Sequence, residues 1–484
     1  MPVRDYVYRG TTRSLCPECK RVVDAKILVR GQRVYFRKHC PEHGTREDFI
    51  CSDVAFYDQH EFDQPARMPE SYGTTADKGC PYDCGLCPEH EQHTCIGLIE
   101  ITSSCNLRCP MCFAESGPGG KHIDFATYKS MVDRYILHEG IADVLQLSGG
   151  EPTLHPELVP MLEYAYQQPI QVVMINTNGI RLARDPDLVS QLATMRDRLE
   201  IYLQFDGFSS ESHLALRGEN LLDVKRQALD RLREAGIRCT LVCTVEHTAN
   251  IDQVGEVLKF GLSREEVRGV SYQLATYCGR HLPAKDLENR TTMPDLMKAL
   301  VRQVPEILRA DDFYPLPCAH PNCHRMAYLY RGEESVVPIS RLIDPKPHMD
   351  LIANSIVYTP ARARNLVAKA VASAGDCGCG PGGCGSAEPS NFIEQALSEK
   401  LTGKEVFRIT LTGFLDSYTF DTRRVMKCCL AHILPSGHII PFCAYNTLYR
   451  DGTLPLPPLA DSKQDTSSRS ISNLPLISLG GVKS

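Results

Sequence analysis

Six short apolar runs recur between residues 96 and 274, and the stretches that separate them carry helical periodicity. The runs are IGLIEI (96–101), DVLQL (143–147), QVVMI (171–175), LEIYLQF (199–205), CTLVCTV (239–245) and VSYQL (270–274). Near-continuous apolar runs of this length suit strands covered on both faces, the habit of parallel sheets. Between them, Leu158, Met161, Leu162 and Ala165 share one helical face. Leu221, Val224, Ala228, Leu232 and Ala235 share another, which stops at Gly236. Six β-then-α units predict an α/β fold, a parallel sheet curled into a partial (β/α)6 barrel over residues 96–285.

The flanks read differently, because they hold most of the cysteines. There are 22 in 484 residues, well below the ~8–10% of a small disulfide scaffold. They are clustered, and the opening MPVRDYVYRG has no apolar signal core. A cytoplasmic, reducing compartment and metal or iron–sulfur ligation are therefore expected, not disulfides. Residues 1–65 form a cysteine knuckle: Cys16 and Cys19, a hairpin turning at Gly31-Gln32, then Cys40 and His43. That set suits one tetrahedral zinc or rubredoxin-like iron, with Cys51 as the alternative to His43. Residues 66–95 carry Cys80, Cys84 and Cys87, read as an auxiliary cubane or as a zinc site completed by His90 or Cys95. Residues 286–460 form a C-terminal domain, with Cys428, Cys429 and Cys443 around a hairpin at 435–437. Cys323 is the expected fourth ligand of an auxiliary cluster there, with Cys318 behind it. Adjacent cysteines point in divergent directions and so rarely serve one zinc ion together. Cys239, Cys243 and Cys278 read as buried thiols. Cys377, Cys379 and Cys384 sit in a glycine-rich insert, read as a flexible loop, and 461–484 reads as a disordered tail.

A net charge of -6 without a basic stripe argues against a nucleic-acid partner. No apolar run approaches the ~18 residues of a spanning helix.

The most specific chemistry follows the first barrel strand: Cys105-Asn-Leu-Arg-Cys109-Pro-Met-Cys112-Phe113. Three thiolates on one loop bind three irons of a cubane and leave the fourth open, whereas an electron carrier normally takes four cysteines. A zinc knuckle with a distant fourth ligand is the blander alternative. At the next strand end stands Ser148-Gly149-Gly150-Glu151-Pro152, where glycines admit a ligand close to the backbone and a carboxylate suits an α-ammonium. Asn176-Thr177-Asn178-Gly179 and Gln204-Phe205-Asp206-Gly207 follow at the third and fourth strand ends, where barrels place their chemistry.

This constellation resembles the radical S-adenosylmethionine superfamily over residues 95–285. The resemblance implies that Cys105, Cys109 and Cys112 hold a [4Fe–4S] cluster with S-adenosylmethionine on its open iron. It implies that Gly149, Gly150 and Glu151 cradle the methionine amine, and that Phe113, Ser148, Asn178, Gln204 and Asp206 line the cofactor or substrate pocket. One-electron reduction then yields a 5′-deoxyadenosyl radical, which takes hydrogen from substrate. End to end, the motifs CPEC, CPEHG, GCPYDCGLCPEH, CNLRCPMCF, GGEPT, LQFDG and RVMKCCLAH…GHIIPFCAYN are similar to one subgroup. That subgroup includes tetraether lipid synthases and dihydropterin methyltransferases. It implies one or two auxiliary [4Fe–4S] clusters, a mononuclear zinc or iron, and a reductase or ferredoxin-type electron donor.

C–C bond formation between lipid hydrocarbon chains is the expected reaction, with radical methylation of a dihydropterin as the alternative and iron–sulfur electron transfer as a third reading. A lipid substrate would need an apolar tunnel, for which Phe313, Tyr314, Leu316, Leu351 and Ile352 are candidates, and a peripheral membrane contact. A pterin would need a few convergent polar groups.

Overall fold

The computed structural model describes residues 4–281, 286–332, 335–354, 356–357, 359–374 and 387–460. Cys377, Cys379 and Cys384 and the segment from 461 onward lie outside the described residues. At the N-terminus β1 (Val7–Leu15), β2 (Val22–Arg30), β3 (Arg33–Cys40) and β4 (Gly44–Cys51) form an antiparallel meander. Arg30 pairs with Arg33 across the expected Gly31-Gln32 turn. Cys16 and Cys19 leave the end of β1, and Cys40 and His43 flank the β3–β4 turn.

The six predicted strands are β5 (Ile96–Thr102), β6 (Ala142–Gly149), β7 (Ile170–Thr177), β8 (Leu199–Gln204), β9 (Arg238–Val245) and β10 (Val267–Leu274). They pair in sequence order and in parallel. Helices α1 (Phe125–Glu139), α2 (Leu158–Tyr166), α3 (Ile180–Arg184), α4 (Pro186–Ala193), α5 (Ser210–Arg217), α6 (Leu222–Glu234) and α7 (Val254–Leu262) make the crossovers. Tyr128, Met131, Val132 and Tyr135 of α1 and Ala228, Leu229 and Leu232 of α6 are buried against the sheet with Leu145, Ile175, Ile201 and Leu241. Each such large apolar side chain contributes about 1.5–3 kcal/mol.

The sheet does not end with the barrel strands. After α8 (Met293–Gln303) come β11 (Tyr314–Pro315), β12 (His324–Arg331) and β13 (Val336–Pro338), helices α9 (Met349–Ile352), α10 (Pro360–Ala374) and α11 (Ala387–Leu397), then β14 (Val406–Thr412). Strand β14 pairs in parallel with β10, and β12 adds antiparallel to β14. After α12 (Thr422–Met426), β15 (Leu430–Ile433) pairs in parallel with β5 and is itself followed by β16 (Ile439–Pro441). One 12-stranded sheet results, with both barrel edges extended by the C-terminal third. Helix α10 packs onto the sheet extension, with Val367 buried among Tyr330 and Phe392. Among the described residues no helix is long and apolar enough to cross a membrane.

Gly97 of β5 shows how tightly this edge fits. A Cβ there would lie 2.7 Å from the Tyr135 ring and 2.8 Å from Ile433 Cδ1. Tyr135 cannot yield readily, since its hydroxyl donates to the carbonyls of Thr94 (3.0 Å) and Val144 (3.1 Å). Gly97→Ala is expected to cost about 1–3 kcal/mol, seen as a lowered anaerobic melting temperature; an unchanged one would contradict this packing.

Candidate functional site

The Cys105–Cys112 loop leaves the C-terminal end of β5. All three cysteines border a single cavity of about 510 Å³ that runs down the barrel lumen. The Leu107 N–H points at Cys105 Sγ (3.4 Å). Burial pushes the Cys105 thiol up to about 12, so a thiolate there calls for a bound cation. Beside the loop, the chain comes too close for side chains: a Cβ on Gly149 or Gly150 would sit 2.1 Å from the carbonyl oxygen of Thr102 or Ser104. Both glycines line the cavity, leaving a bare backbone cradle next to the three sulfurs. A three-cysteine donor set beside such a cradle fits a cluster with one open iron and a small zwitterion on it.

Glu151 and Asp206 stand behind that wall. The Glu151 carboxylate is 1% exposed and accepts from Thr153 N–H (3.1 Å), Thr153 Oγ1 (2.6 Å), Thr177 Oγ1 (2.6 Å) and Asn178 N–H (2.8 Å). It braces the ends of β6 and β7, and meeting an ammonium group would require exchange of one of these bonds. Asp206 is fully buried and grips Arg217 through two bonds of 2.6 and 2.7 Å, with Thr244 N–H at 3.0 Å. Arg217, which sequence reading missed, carries this charge to the cavity wall beside Cys109. Lys225 completes the buried group by donating to the Asn178 carbonyl. Asn178 itself lines the cavity and donates to Asn106 Oδ1 (2.7 Å).

The lumen has three layers because alternate strand residues point inward. The top layer includes Glu100, Ser148, Asn176, Gln204, Thr244 and Gln273; Gln204 Oε1 and Asn176 Oδ1 are buried and have no hydrogen-bond partner among the described residues. The middle holds Leu98, Gln146, Met174, Tyr202, Val242 and Ser271, and the bottom Val144, Val172, Glu200, Arg238, Arg268 and Arg408. Of the residues expected to line an apolar tunnel, only Leu316 borders the cavity. Tyr314 and Ile352 pack in a separate cluster, and Phe313 belongs to the main core. The apolar wall is instead Ile96, Leu98, Val144, Val172 and Met174, read at first only as strand residues, with Met326 of β12. Over the top, Phe113 packs edge-on to Phe414 and Phe442 at 5.7 and 5.6 Å. His432 stacks on Phe442 at 5.0 Å, and burial drops its pKa to about 3, so it faces the cavity as a neutral imidazole.

The other cysteines form distinct groups. Cys19 Sγ lies 3.7 Å from Cys40 Sγ, and His43 Nδ1 lies 3.6 and 3.4 Å from the sulfurs of Cys16 and Cys40. Zinc–sulfur bonds of ~2.3 Å in a tetrahedron place sulfurs about 3.8 Å apart, so this set fits one tetrahedral ion. Cys51 is not part of it: its thiol donates to the Asp53 carbonyl (3.3 Å). Cys80 and Cys84 pack with Leu15, Cys443 and Tyr449, with buried Cys87 nearby. His90 spends its Nε2 on the Cys428 carbonyl at 2.9 Å.

Cys428 and Cys429 diverge as expected, and this divides what the sequence grouped. Cys429 contacts Cys95, which also contacts Cys318 and has His93 Nε2 at 3.4 Å. Cys428 lies toward Cys443 and Cys323. The sulfurs of Cys323 and Cys443 accept from Arg424 Nε and Leu415 N–H, each at 3.3 Å. Asp58, His60 and His320 also converge within 4.8 Å. Asp58 is already committed to Asn322 (2.7 Å) and Arg423 (3.0 Å), so a cation there would compete with a guanidinium.

Comparison with known proteins bears on this geometry. The Radical SAM superfamily profile matches residues 99–261, and the HMPTM N-terminal zinc ribbon domain profile matches residues 8–52. The 7,8-dihydro-6-hydroxymethylpterin dimethyltransferase of Methanocaldococcus jannaschii is 30% identical over 480 residues, 91% of this chain and 94% of that one. The chain belongs to the radical S-adenosylmethionine superfamily. The mycofactocin maturase MftC of Mycolicibacterium smegmatis is 28% identical over 158 residues, 32% of this chain and 39% of its own length. Streptococcus suis SuiB bound to S-adenosylmethionine aligns with 44% of this chain and 48% of its own, at 15% identity and TM-score 0.35, a likeness too slight to argue from. Membership implies that this radical S-adenosylmethionine enzyme uses a [4Fe–4S] cluster and S-adenosylmethionine, and the ribbon match favours zinc over iron in the N-terminal site.

Two outcomes follow from the geometry. His43→Ala should lose one equivalent of zinc by elemental analysis while iron content is unchanged; equal zinc in both proteins would remove His43 from the site. Asp206→Asn strands Arg217 in the interior without a counter-charge, a loss of about 3–5 kcal/mol, read as a lowered melting temperature of the reconstituted protein.

Proposed function

We propose that this enzyme transfers methyl groups to a reduced pterin held in the top of the barrel lumen, with Cys105, Cys109 and Cys112 as the ligands of its [4Fe–4S] cluster. The observation that carries the substrate is the pair of unpartnered acceptors, Asn176 Oδ1 and Gln204 Oε1, on residues that line the same cavity as the motif cysteines. A buried acceptor without a partner costs about 1–3 kcal/mol. The amine and lactam N–H groups on a pterin edge would satisfy such acceptors. The relative that matches nearly the whole chain is named for a dihydropterin, which supports the same reading.

When bound, the cluster and S-adenosylmethionine supply a 5′-deoxyadenosyl radical. The protein's own contribution is placement and exclusion of water. The Gly150 N–H is held by the Thr102 carbonyl (2.7 Å), so what the Gly149–Gly150 backbone would offer the cofactor is carbonyl oxygen for its α-ammonium. Arg217, fixed by Asp206, sets a positive charge beside Cys109. Phe113, Phe414 and Phe442 close the space above with ring edges, and His432 offers a neutral nitrogen at the same level. One observation favours a second reading, the coupling of hydrocarbon chains: the wall of Ile96, Leu98, Val144, Val172 and Met174 is apolar along its length.

The test is anaerobic reconstitution with iron and sulfide, then incubation with S-adenosylmethionine, dithionite and 7,8-dihydro-6-hydroxymethylpterin. The expected products are 5′-deoxyadenosine and methionine from one S-adenosylmethionine, and S-adenosylhomocysteine from a second that gives up its methyl, with a pterin heavier by one or two methyl groups and dithionite supplying the electrons. Formation of the nucleoside with an unchanged pterin, and with extracted lipids at twice the mass less two hydrogens, would move the coupling reading ahead. Cys109→Ala should abolish the nucleoside and retain zinc and the remaining iron. Full cleavage by that variant would sink the ligand assignment.

A further inference from the structure

The bottom of the lumen holds charge that the chemistry at the top does not use. Arg238, Arg268 and Arg408 stand first, second and third in β9, β10 and β14 and border the same cavity as the motif cysteines. Glu200 is the one carboxylate facing them in the described lining at that level. It accepts from Thr240 Oγ1 (2.6 Å) and lies 3.8 Å from Arg238 and 3.6 Å from Arg408. Arg408 also donates to the Ile356 carbonyl at 3.2 Å. Arg268 Nη1 is buried with no hydrogen-bond partner among the described residues, as is Arg238 Nε. Glu405 and Glu265 act on Arg268 from outside the lining. Within the lining, three guanidinium groups share one carboxylate and are partly withdrawn from water, an arrangement that an anion joining them would relieve. Their forked donors match the paired oxygens of a carboxylate or phosphate.

We propose that this end of the barrel is an anion site that takes the carboxylate or phosphate terminus of an elongated substrate, whose other end reacts beside the Cys105–Cys112 loop. Arg238 and Thr244 are six residues apart on β9, and Glu200 and Gln204 four apart on β8, so the site lies about 13–20 Å along the strands from the top layer at ~3.3 Å per residue. A bicyclic ring at the top cannot span that distance without a tail. The intervening shaft suits a spacer of mixed character. Val172 and Met174 of β7 line it next to Tyr202 of the neighbouring β8, whose hydroxyl donates to Ser271 (2.5 Å) and accepts from Gln273 (3.3 Å). The inference rests on the lumen being the substrate channel, and not on which group is methylated or coupled.

The test uses reconstituted holoenzyme and equilibrium dialysis with two matched pairs of probes: decyl phosphate against decanol, and the phosphate ester of 7,8-dihydro-6-hydroxymethylpterin against the free alcohol. At least one phosphate-bearing probe should bind tenfold or more tighter than its uncharged partner. Arg268→Gln and Arg408→Gln should remove most of that preference, and Arg268→Lys should restore part of it. A purely structural role for the arginines would lower the melting temperature without changing the preference. Preference for decyl phosphate identifies a lipid head group as the source of the anion; preference for the pterin ester identifies a phosphorylated pterin; either supports the site. No preference in either pair, or a preference that survives both Gln variants, overturns it. The wild-type comparison stands even if a variant fails to fold. Pterin methylation that proceeds without any charge preference would remove the anion site and leave the methyl-transfer reading standing.

Discussion

Edge pairing on both sides of the six-stranded parallel sheet organises everything else in this molecule. An open parallel sheet leaves two rows of unpaired backbone groups, and such edges must be covered. Here β14 covers β10 and β15 covers β5, in parallel register on both sides. The same pairing carries the C-terminal cysteines to their places. Cys429 stands one residue before β15 and meets Cys95, one residue before β5, because their two strands are neighbours. Ile96 N–H donates to the Cys429 carbonyl at 3.0 Å, tying the two cysteine-bearing stretches together at the point where both strands start.

Behind the motif loop lies a second level of organisation, built from charge. Glu151, Asp206, Arg217 and Lys225 are all withdrawn from water; Glu151 is held by donors at and after the ends of β6 and β7, and Asp206 by Arg217 of α5 and Thr244 N–H of β9. Breaking any member leaves an unpaired charge inside, so the group holds its geometry as a unit. Its effect at the surface of the cavity is limited to Arg217. Burial disfavours the charged form of Lys225 and drops its pKa to about 8, with Arg217 adding to this. The lysine therefore owes its place to the Asn178 carbonyl and to the carboxylates around it.

The alternation of apolar runs and helical patterns was enough to place all six barrel strands to within three residues, because burial on both faces leaves a long apolar signal. The zinc-ribbon spacing was legible for the same kind of reason: turn residues and ligands lie close in the chain. What escaped were residues whose role depends on which way a strand residue points. Arg238, Thr240, Val242 and Thr244 share the inward face of β9, yet their neighbours Cys239, Leu241, Cys243 and Val245 dominate the pattern and hide them. Glu151 and Asp206 were read as pocket residues from their motifs; their hydrogen bonds turn them inward, which only the packed strand ends reveal. Cys95 and Cys318 are separated from Cys429 by hundreds and by about a hundred residues, respectively, and no local spacing announces that meeting. The five residues proposed for an apolar tunnel were chosen by hydrophobicity, a property that an ordinary core shares.

The lumen wall itself is of mixed origin. One side comes from β5 to β10, which also present the motif loop and the glycine cradle. The other comes from the C-terminal third: Leu316, Met326, Tyr328, Ile356, Arg408 and Thr410. The part of the chain that generates reactivity is thus separate, along the sequence, from much of the part that measures what enters. Divergence in the C-terminal third can reshape the guest while the radical-forming half stays as it is, so relatives built on this plan can differ in substrate without differing in how they begin the reaction.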